Sequence, residues 1–583
     1  MLSEVSLARP AMPRTSLVGP FAPVPVGDGL ALHAGADTPA ARRLLTPEAV
    51  ALVVRLHRAL ATDRAYHLAA RVDRQARWDA GAVPGYLPKD AHPEAHRRWH
   101  VAPLPADLLT RRVEITGPVS DARMVVNMLS RGADGQRADA AMVDFEDSMK
   151  PSWDNVTAGV ENVAAAAEGT LSAAKVDEAG NVTKEYRLDP DDMATLMVRV
   201  RGLHLDEANL RVDDQPVAGG LLDFALCMVH AAPALIARGK TPAFYVPKVE
   251  HFLEARWWSR LFALTEDALG MPRSTVRATF LIETLPAAFQ MEEILYELRD
   301  HAAALNGGRW DKIFSDIKCL RTHPDRVLPD RASIGMNRPW MRDYARHLID
   351  VCHRHGAFAM GGMAAFTPGR TPEARQAQTD KVVADKLFEA SIGHDGCWVS
   401  HPYFIGPAFG PFLDALAGAQ NQLGVHPDIV PRPDLMPLGG GPYTLGGLRT
   451  NVRVGIAYLK GWNEDVGCVA WDDLMEDLAT LEISRAQTVQ WRLHGVRLES
   501  GEAVTDDLVR GLFETELATI LAEVQAVGTE ADLWRRAAAD ASRVFLERDM
   551  RPFLATASPL AALATTAPGT SGDGHVSDAV PVL

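Results

Sequence analysis

Several short apolar, β-branched runs of the chain end in residues that could do chemistry. One ends in Val143-Asp144-Phe145-Glu146-Asp147, another in Arg199-Val200-Arg201-Gly202, and a third in Pro247-Lys248-Val249-Glu250. Two more end in Leu281-Ile282-Glu283-Thr284 and Gly307-Gly308-Arg309-Trp310-Asp311. A single carboxylate after a strand is more often a helix cap than a ligand, and paired arginines ordinarily serve structural carboxylates. Acidic groups converging from three strands are a different matter, because they repel unless a cation sits among them. Carboxylate oxygens suit Mg²⁺ rather than zinc. No His-rich or Cys-rich spacing offers a site for another metal.

Something must bring these ends together. Eight runs alternate with longer amphipathic stretches: 112–117, 140–145, 196–200, 243–247, 278–282, 302–307, 357–363 and 396–400. Strand–helix alternation implies parallel βαβ units, and eight of them are what a closed (β/α)8 barrel needs. The expected class is α/β. In such a barrel, polar residues just past the strand ends point into the active-site mouth.

Around the barrel, five stretches are expected. Residues 1–110 form an N-terminal arm and helical lobe, with 1–27 extended. Thr46-Pro47-Glu48 starts a helix running to about Leu60. Residues 111–417 form the barrel, in which Thr371-Pro372-Glu373 caps a helix that Gly393 stops, and polar residues 169–189 form a surface insertion. Residues 418–447 are a Gly/Pro-rich linker, whose Gly439-Gly440-Gly441 lacks the Lys and Ser/Thr of a phosphate loop. Residues 448–564 are a helical domain, and 565–583 a disordered tail.

Bulk properties narrow the partners. A net charge of −15 over 583 residues argues against nucleic acid, but a phosphate-bearing small molecule needs only a local cluster of Lys and Arg. Five cysteines without a C-x-x-C pair read as reduced thiols. No secretory signal, no apolar stretch of membrane-spanning length and no peroxisomal address is seen, so a cytoplasmic protein without membrane contact is expected.

The stretches RRVEITGPVSDARMVVNML, MVDFEDSMKPSW, MVRVRGLHL, ATFLIETLPAAFQMEEILYELRDHAAALNGGRWDKIFSDIK, VLPDRASIGM, AFAMGGMAAF and MEDLATLEISRAQTVQW, in this order, resemble the A-type malate synthase family over Arg111 to Trp491. Leu203 stands where that family usually has Trp, and Gly307 where Cys is usual. Tyr403-Phe404 replaces a smaller Gly-containing segment, and extra stretches precede Val143 and occupy 169–189.

The resemblance implies a TIM barrel with an N-terminal helical lobe and a C-terminal helical plug. It implies condensation of acetyl-CoA with glyoxylate and hydrolysis to malate and CoA, in the glyoxylate cycle. Glu283 and Asp311 then resemble the Mg²⁺ ligands, and Arg199 the arginine that stabilises the acetyl-CoA enolate, with Arg201 as the fallback. Asp477 resembles the general base; read without the family, it is an exposed helix carboxylate. Backbone N–H groups of Gly308, Arg309, Trp310 and Asp311 would hold the glyoxylate carboxylate. Asp144 and Glu146 either bind metal-bound water or anchor Arg199 and Arg201. Cys468 either lines the thioester tunnel or is an inert thiol, and His230, His251 and His394 are structural. The residues contacting CoA and the oligomeric state are left open. Two alternatives remain: a barrel β-hydroxyacyl-CoA lyase of the citrate-lyase β-subunit type, and a non-catalytic scaffold descended from the enzyme.

Overall fold

The computed structural model describes residues 21–132, 134–177 and 181–554. Eight parallel strands close a barrel: β1 (Val113–Pro118), β2 (Ala140–Asp144), β3 (Thr195–Arg199), β4 (Ala243–Val246), β5 (Arg277–Leu281), β6 (Ala302–Asn306), β7 (Phe358–Ala364) and β8 (Gly396–Val399). Each expected run lies within one residue of its strand. Every strand pairs with the next in sequence, and β8 returns to β1 through Cys397↔Val113 and Trp398↔Glu114. These strands are buried on both faces, and for that reason they read as continuous apolar runs rather than alternating ones.

The floor of the barrel is polar and largely hydrogen-bonded, although Arg111 Nη1 is buried without a partner. Arg111 Nε donates to Glu114 at 2.6 Å and Arg111 Nη2 to the Tyr245 hydroxyl at 2.7 Å, while Tyr245 donates to Glu114 and Trp398 Nε1 reaches both. All the candidate site residues lie at the other, C-terminal, end of the strands.

Helix α1 (Pro47–Asp79) starts at the Thr46 cap as expected but runs 33 residues, well past Leu60. Its second half is held by polar rather than apolar contacts. Arg64 Nε donates to Leu203 O at 2.7 Å, Arg71 Nη2 to Lys248 O at 2.7 Å, and Gln75 to Lys318 O at 3.1 Å. An apolar period cannot register such a helix. The outer part of the expected arm, residues 1–20, lies outside the described residues. Pro23–Gly27 is a strand, joined with Leu30–His33, Asp206–Val212 and Gln215–Ala218 in a small antiparallel sheet. The polar insertion is a β-hairpin, Ser172–Val176 paired with Val182–Arg187.

Residues 418–444 contain no helix or strand, yet are tied down: Tyr86 donates to Pro433 O, and Tyr443 to Val327 O, both at 2.9 Å. Beyond them come α2 (Leu445–Asn463), a short hairpin (Val469–Trp471 and Leu474–Glu476), α3 (Leu478–Leu493), α4 (Asp506–Glu523) and α5 (Gly528–Phe545). Their own apolar core includes Val452, Trp462, Trp491 and Phe545. The hairpin and the start of α3 cover the barrel mouth. Met475 N donates to Ala365 O at 2.7 Å, Thr367 N to Asp473 O at 3.0 Å, and Leu478 N to Asp147 O at 3.2 Å. Farther along α3, Trp491 Nε1 donates to Leu328 O at 2.8 Å. The expected tail at 565–583 lies outside the described residues. Among those described, no helix is long and apolar enough to cross a membrane, and all five cysteines are free.

Candidate active site

Under the covering hairpin lies a cavity. Asp147, Arg199, Glu283, Gly308, Arg309, Trp310 and Asp311 line it from the barrel, and Cys468, Met475 and Asp477 from the helical domain. Two polar atoms of its wall residues, Thr116 Oγ1 and Asn306 Oδ1, are buried without a hydrogen-bond partner.

Converging carboxylates repel one another unless a cation sits among them. In this structure that position is held by Lys248, at the end of β4. Its Nζ lies 2.7 Å from Asp147, 3.0 Å from Asp311, and 3.4 Å from both Glu283 and Glu146. Its backbone N–H donates to Glu283 Oε1 at 2.8 Å, and its φ is +56°, a left-handed conformation uncommon for a non-glycine residue. Such outliers cluster at functional sites. Asp147 and Lys248 received no role from the sequence alone, although both stood at strand ends read as reactive. The αL turn that aims Lys248 has no local signature.

Asp144 is fully buried and anchors Arg199, accepting its Nε at 2.7 Å. It also accepts the backbone N–H groups of Glu146 and Ser148, each at 2.8 Å. Burial alone would raise this carboxyl, but Arg199 holds it below its ordinary value. Arg199 is therefore fixed in place, with Nη1 3.5 Å from Asp147 and its guanidinium 5.9 Å from the Trp398 ring. Neither Asp144 nor Glu146 anchors Arg201. That arginine pairs with Asp223 at 2.7 Å and Glu207 at 2.8 Å, and does not line the cavity. Glu146 faces Lys248 from beyond the cavity, and its Oε1 is buried without a partner.

Glu283 and Asp311 come together from β5 and β6. Gly308 makes this possible: a Cβ there would sit 2.8 Å from both Cβ and Oε2 of Glu283. The helix Arg309–Cys319 begins at this glycine, so its first N–H groups face the cavity. Trp310 lies against two guanidinium groups, with Arg309 4.8 Å and Arg331 5.6 Å from its ring centre.

Asp477 caps α3. Its Oδ1 accepts Thr480 N at 3.2 Å, and Thr480 Oγ1 accepts Asp477 N at 2.9 Å. This is a capping box, but the side chain is not solvated: Asp477 is 8% exposed and lines the cavity. Burial, then the nearby Asp147, lift its carboxyl to about 7. Asp311 is likewise lifted to about 7, by burial and then by Glu283. Burial raises Glu146 and Asp147 too.

Among the described residues, the carboxyls of Asp144, Glu146, Asp147, Glu283, Asp311 and Asp477 thus share only the cations Arg199 and Lys248. That excess of negative charge, with two carboxyls side by side, fits a divalent cation. Among the described residues no three His, Cys, Asp or Glu side chains are grouped to hold a metal. A site here would therefore be of the open kind, two carboxylates completed by water and substrate oxygens, which Mg²⁺ accepts.

Comparison with known proteins bears on the whole chain. The family model described as the malate synthase TIM barrel domain matches residues 195–433, the malate synthase C-terminal model matches 443–559, and the N-terminal model matches 34–92. A malate synthase of Myxococcus xanthus is 46% identical over 82% of this chain and 86% of its own length. Malate synthase A of Escherichia coli is 43% identical over 83% and 89%, and a Streptomyces clavuligerus malate synthase 43% identical over 88% and 94%. The chain belongs to the malate synthase family. It is an acyltransferase of that family, as the sequence motifs implied, and the lyase alternative is not favoured. The malate synthase match includes the helical domain that supplies Asp477.

The remaining expectations concern residues outside this cluster. His230 bonds to Leu44 O at 2.8 Å and His394 to Ala359 O at 3.2 Å, while His251 accepts Leu253 N at 3.2 Å. All three have structural partners. Cys468 lines the cavity, and burial pushes its thiol up to about 12, so it stays protonated and is no nucleophile at neutral pH.

Proposed function

We propose that this cavity condenses acetyl-CoA with glyoxylate, with Asp477 as general base, Arg199 as the enolate partner, and Glu283 and Asp311 as ligands of Mg²⁺. The observation that carries the reading is the convergence in one cavity of Asp477 from the helical domain with Arg199, Glu283 and Asp311 from three barrel strands.

Asp477 takes a proton from the acetyl methyl group. A carboxyl lifted to about 7 is a better match to this weak carbon acid than an ordinary aspartate. The negative charge moves to the thioester oxygen, where the Arg199 guanidinium, already fixed by Asp144, meets it without reorganisation. The N–H groups at the start of helix Arg309–Cys319 hold the glyoxylate carboxylate. Glu283 and Asp311 would hold Mg²⁺, which when bound would supply Lewis-acid polarisation of the glyoxylate aldehyde. Lys248 keeps Asp147, Glu283 and Asp311 in register, and the covering hairpin excludes water during carbon–carbon bond formation. Hydrolysis of the malyl thioester then releases malate and CoA.

The test is release of free thiol from acetyl-CoA, measured with and without glyoxylate and with and without Mg²⁺. Thiol release should require all three. Consumption of glyoxylate with the thioester left intact would identify a lyase-type reaction instead.

A further inference from the structure

If acetyl-CoA is the co-substrate, its thioester lies beside Asp477 and its phosphorylated adenosine must leave the cavity by some route. The cavity continues into an open groove that shares Pro118, Met124, Ser148, Cys468 and Met475 with it. The shared residues carry no charge, which suits the pantetheine arm. The groove runs out between residues 465–470 of the helical domain and the inserted hairpin, whose Ala173 and Ala174 form part of its wall.

The hairpin carries charge beside this wall, Lys175 following directly on Ala174. Its register pairs Ala173 with Tyr186 and Lys175 with Lys184. Tyr186 packs against the protein core, so its face of the hairpin is the one turned inward. Residues two apart on a strand share a face. Lys184 and its partner Lys175 therefore lie on the Tyr186 face, and Lys184 Nζ sits 4.4 Å from the Tyr186 ring centre. Glu185 belongs to the opposite face. Two like charges directly opposite each other weaken a strand pair, a cost that an anion bound between them would remove. The acids of the groove are already matched: Asp121 with Arg123 at 2.6 Å, and Asp465 with Lys150 at 3.5 Å.

We infer that the paired strands Ser172–Val176 and Val182–Arg187 clamp the phosphates of the 3′-phosphorylated ADP end of acetyl-CoA, with Lys175 and Lys184 as the anion-binding pair. The inference rests on the acyl-CoA reading above and adds the residues that recognise the nucleotide. The hairpin was a polar insertion without a role in the sequence, and its place beside the groove supplies one.

The test titrates adenosine 3′,5′-bisphosphate into the full-length wild type and into Lys175→Glu/Lys184→Glu. It also compares KM for acetyl-CoA with KM for S-acetyl-pantetheine 4′-phosphate, which lacks the nucleotide. The double variant should bind the bisphosphate about tenfold more weakly or worse, the scale of losing a charge-assisted hydrogen bond to phosphate. Its acetyl-CoA KM should rise by a similar factor, while the KM values for the truncated thioester and for glyoxylate do not follow. Lys175→Arg/Lys184→Arg should restore bisphosphate binding. Equal bisphosphate binding by wild type and charge-reversed variant would overturn the clamp, and so would an equal rise in KM for both thioesters, which marks a merely structural role. A wild type that binds the bisphosphate through these lysines but turns over neither thioester would leave the clamp standing and sink the proposed reaction.

Discussion

Asp477 does two jobs with one carboxylate: it closes a helix N-terminus and presents a lifted, buried acid to the cavity. Asn caps a helix as well as Asp does, so Asp477→Asn separates the two. It should cut kcat by roughly 10²–10⁴, the usual worth of a positioned base, and stop exchange of acetyl-CoA methyl protons with D₂O. A carboxyl whose folded pKa is raised above its unfolded value of about 3.9 favours folding below that value, and this contribution is lost as pH climbs through about 7. The inactive variant should therefore melt higher than wild type at pH 8 and lose that advantage at pH 5, as calorimetry at the two pH values will show. Wild-type turnover should fall as pH drops through about 7, because only the ionised Asp477 accepts the proton. At the proposed metal ligands, chelation by EDTA should abolish thiol release and added Mg²⁺ or Mn²⁺ restore it. Glu283→Gln or Asp311→Asn should lower kcat at least about a hundredfold, as loss of a Lewis acid does; a fully active variant would remove that residue from the ligand set. Residues at the strand ends were legible because a barrel gives such positions one destination. Lys248 was legible only as a position, since its service to four carboxylates depends on strands that are distant in sequence.

At the scale of elements, α3 links stability to chemistry through its capping box. Thr480→Val removes the hydroxyl that accepts Asp477 N while leaving Asp477 itself intact. Loss of a capping interaction costs about 1 kcal/mol, visible as a modest shift of the denaturant midpoint. The fall in kcat should exceed what that shift explains, because the Asp477 backbone loses the hydroxyl that fixes it while its carboxylate keeps only the Thr480 N–H; kcat measured far below the unfolding midpoint separates the two effects. The eight strands could be read to within one residue because burial on both faces makes each a short, uninterrupted apolar run. The second half of α1 could not, because Arg64, Arg71 and Gln75 attach it by hydrogen bonds to other elements rather than by an apolar stripe. The inserted hairpin could be read as polar but not as strands: outward-facing on most of its length, it buries too little for alternation to show.

Across the whole molecule, two sets of buried groups titrate in opposition. Burial holds His251, His347 and His394 down to about 4, so their contribution to stability is present above the unfolded value of about 6.5 and lost as pH falls toward 4. Asp311, Glu389 and Asp477, lifted by burial to about 7, contribute with the opposite sign over much of the same window. Removing a member of one set should tilt the balance. His347→Phe should gain stability relative to wild type as pH falls from 7 to 5, measured as the difference in melting temperature; a pH-independent difference would mean that His347 is protonated in the folded protein. The barrel's closing pair has a further consequence. Trp398 on β8 meets Glu114 on β1 across 284 residues of chain, a separation whose loop-closure entropy, growing as the logarithm of length, is about 5 kcal/mol. During ribosomal synthesis β1 waits with one edge unpaired until β8 emerges, and Asp477 emerges later still. Glu283 and Asp311 are thus in place before Asp477, the proposed base, and on that proposal a nascent chain acquires its catalytic competence last.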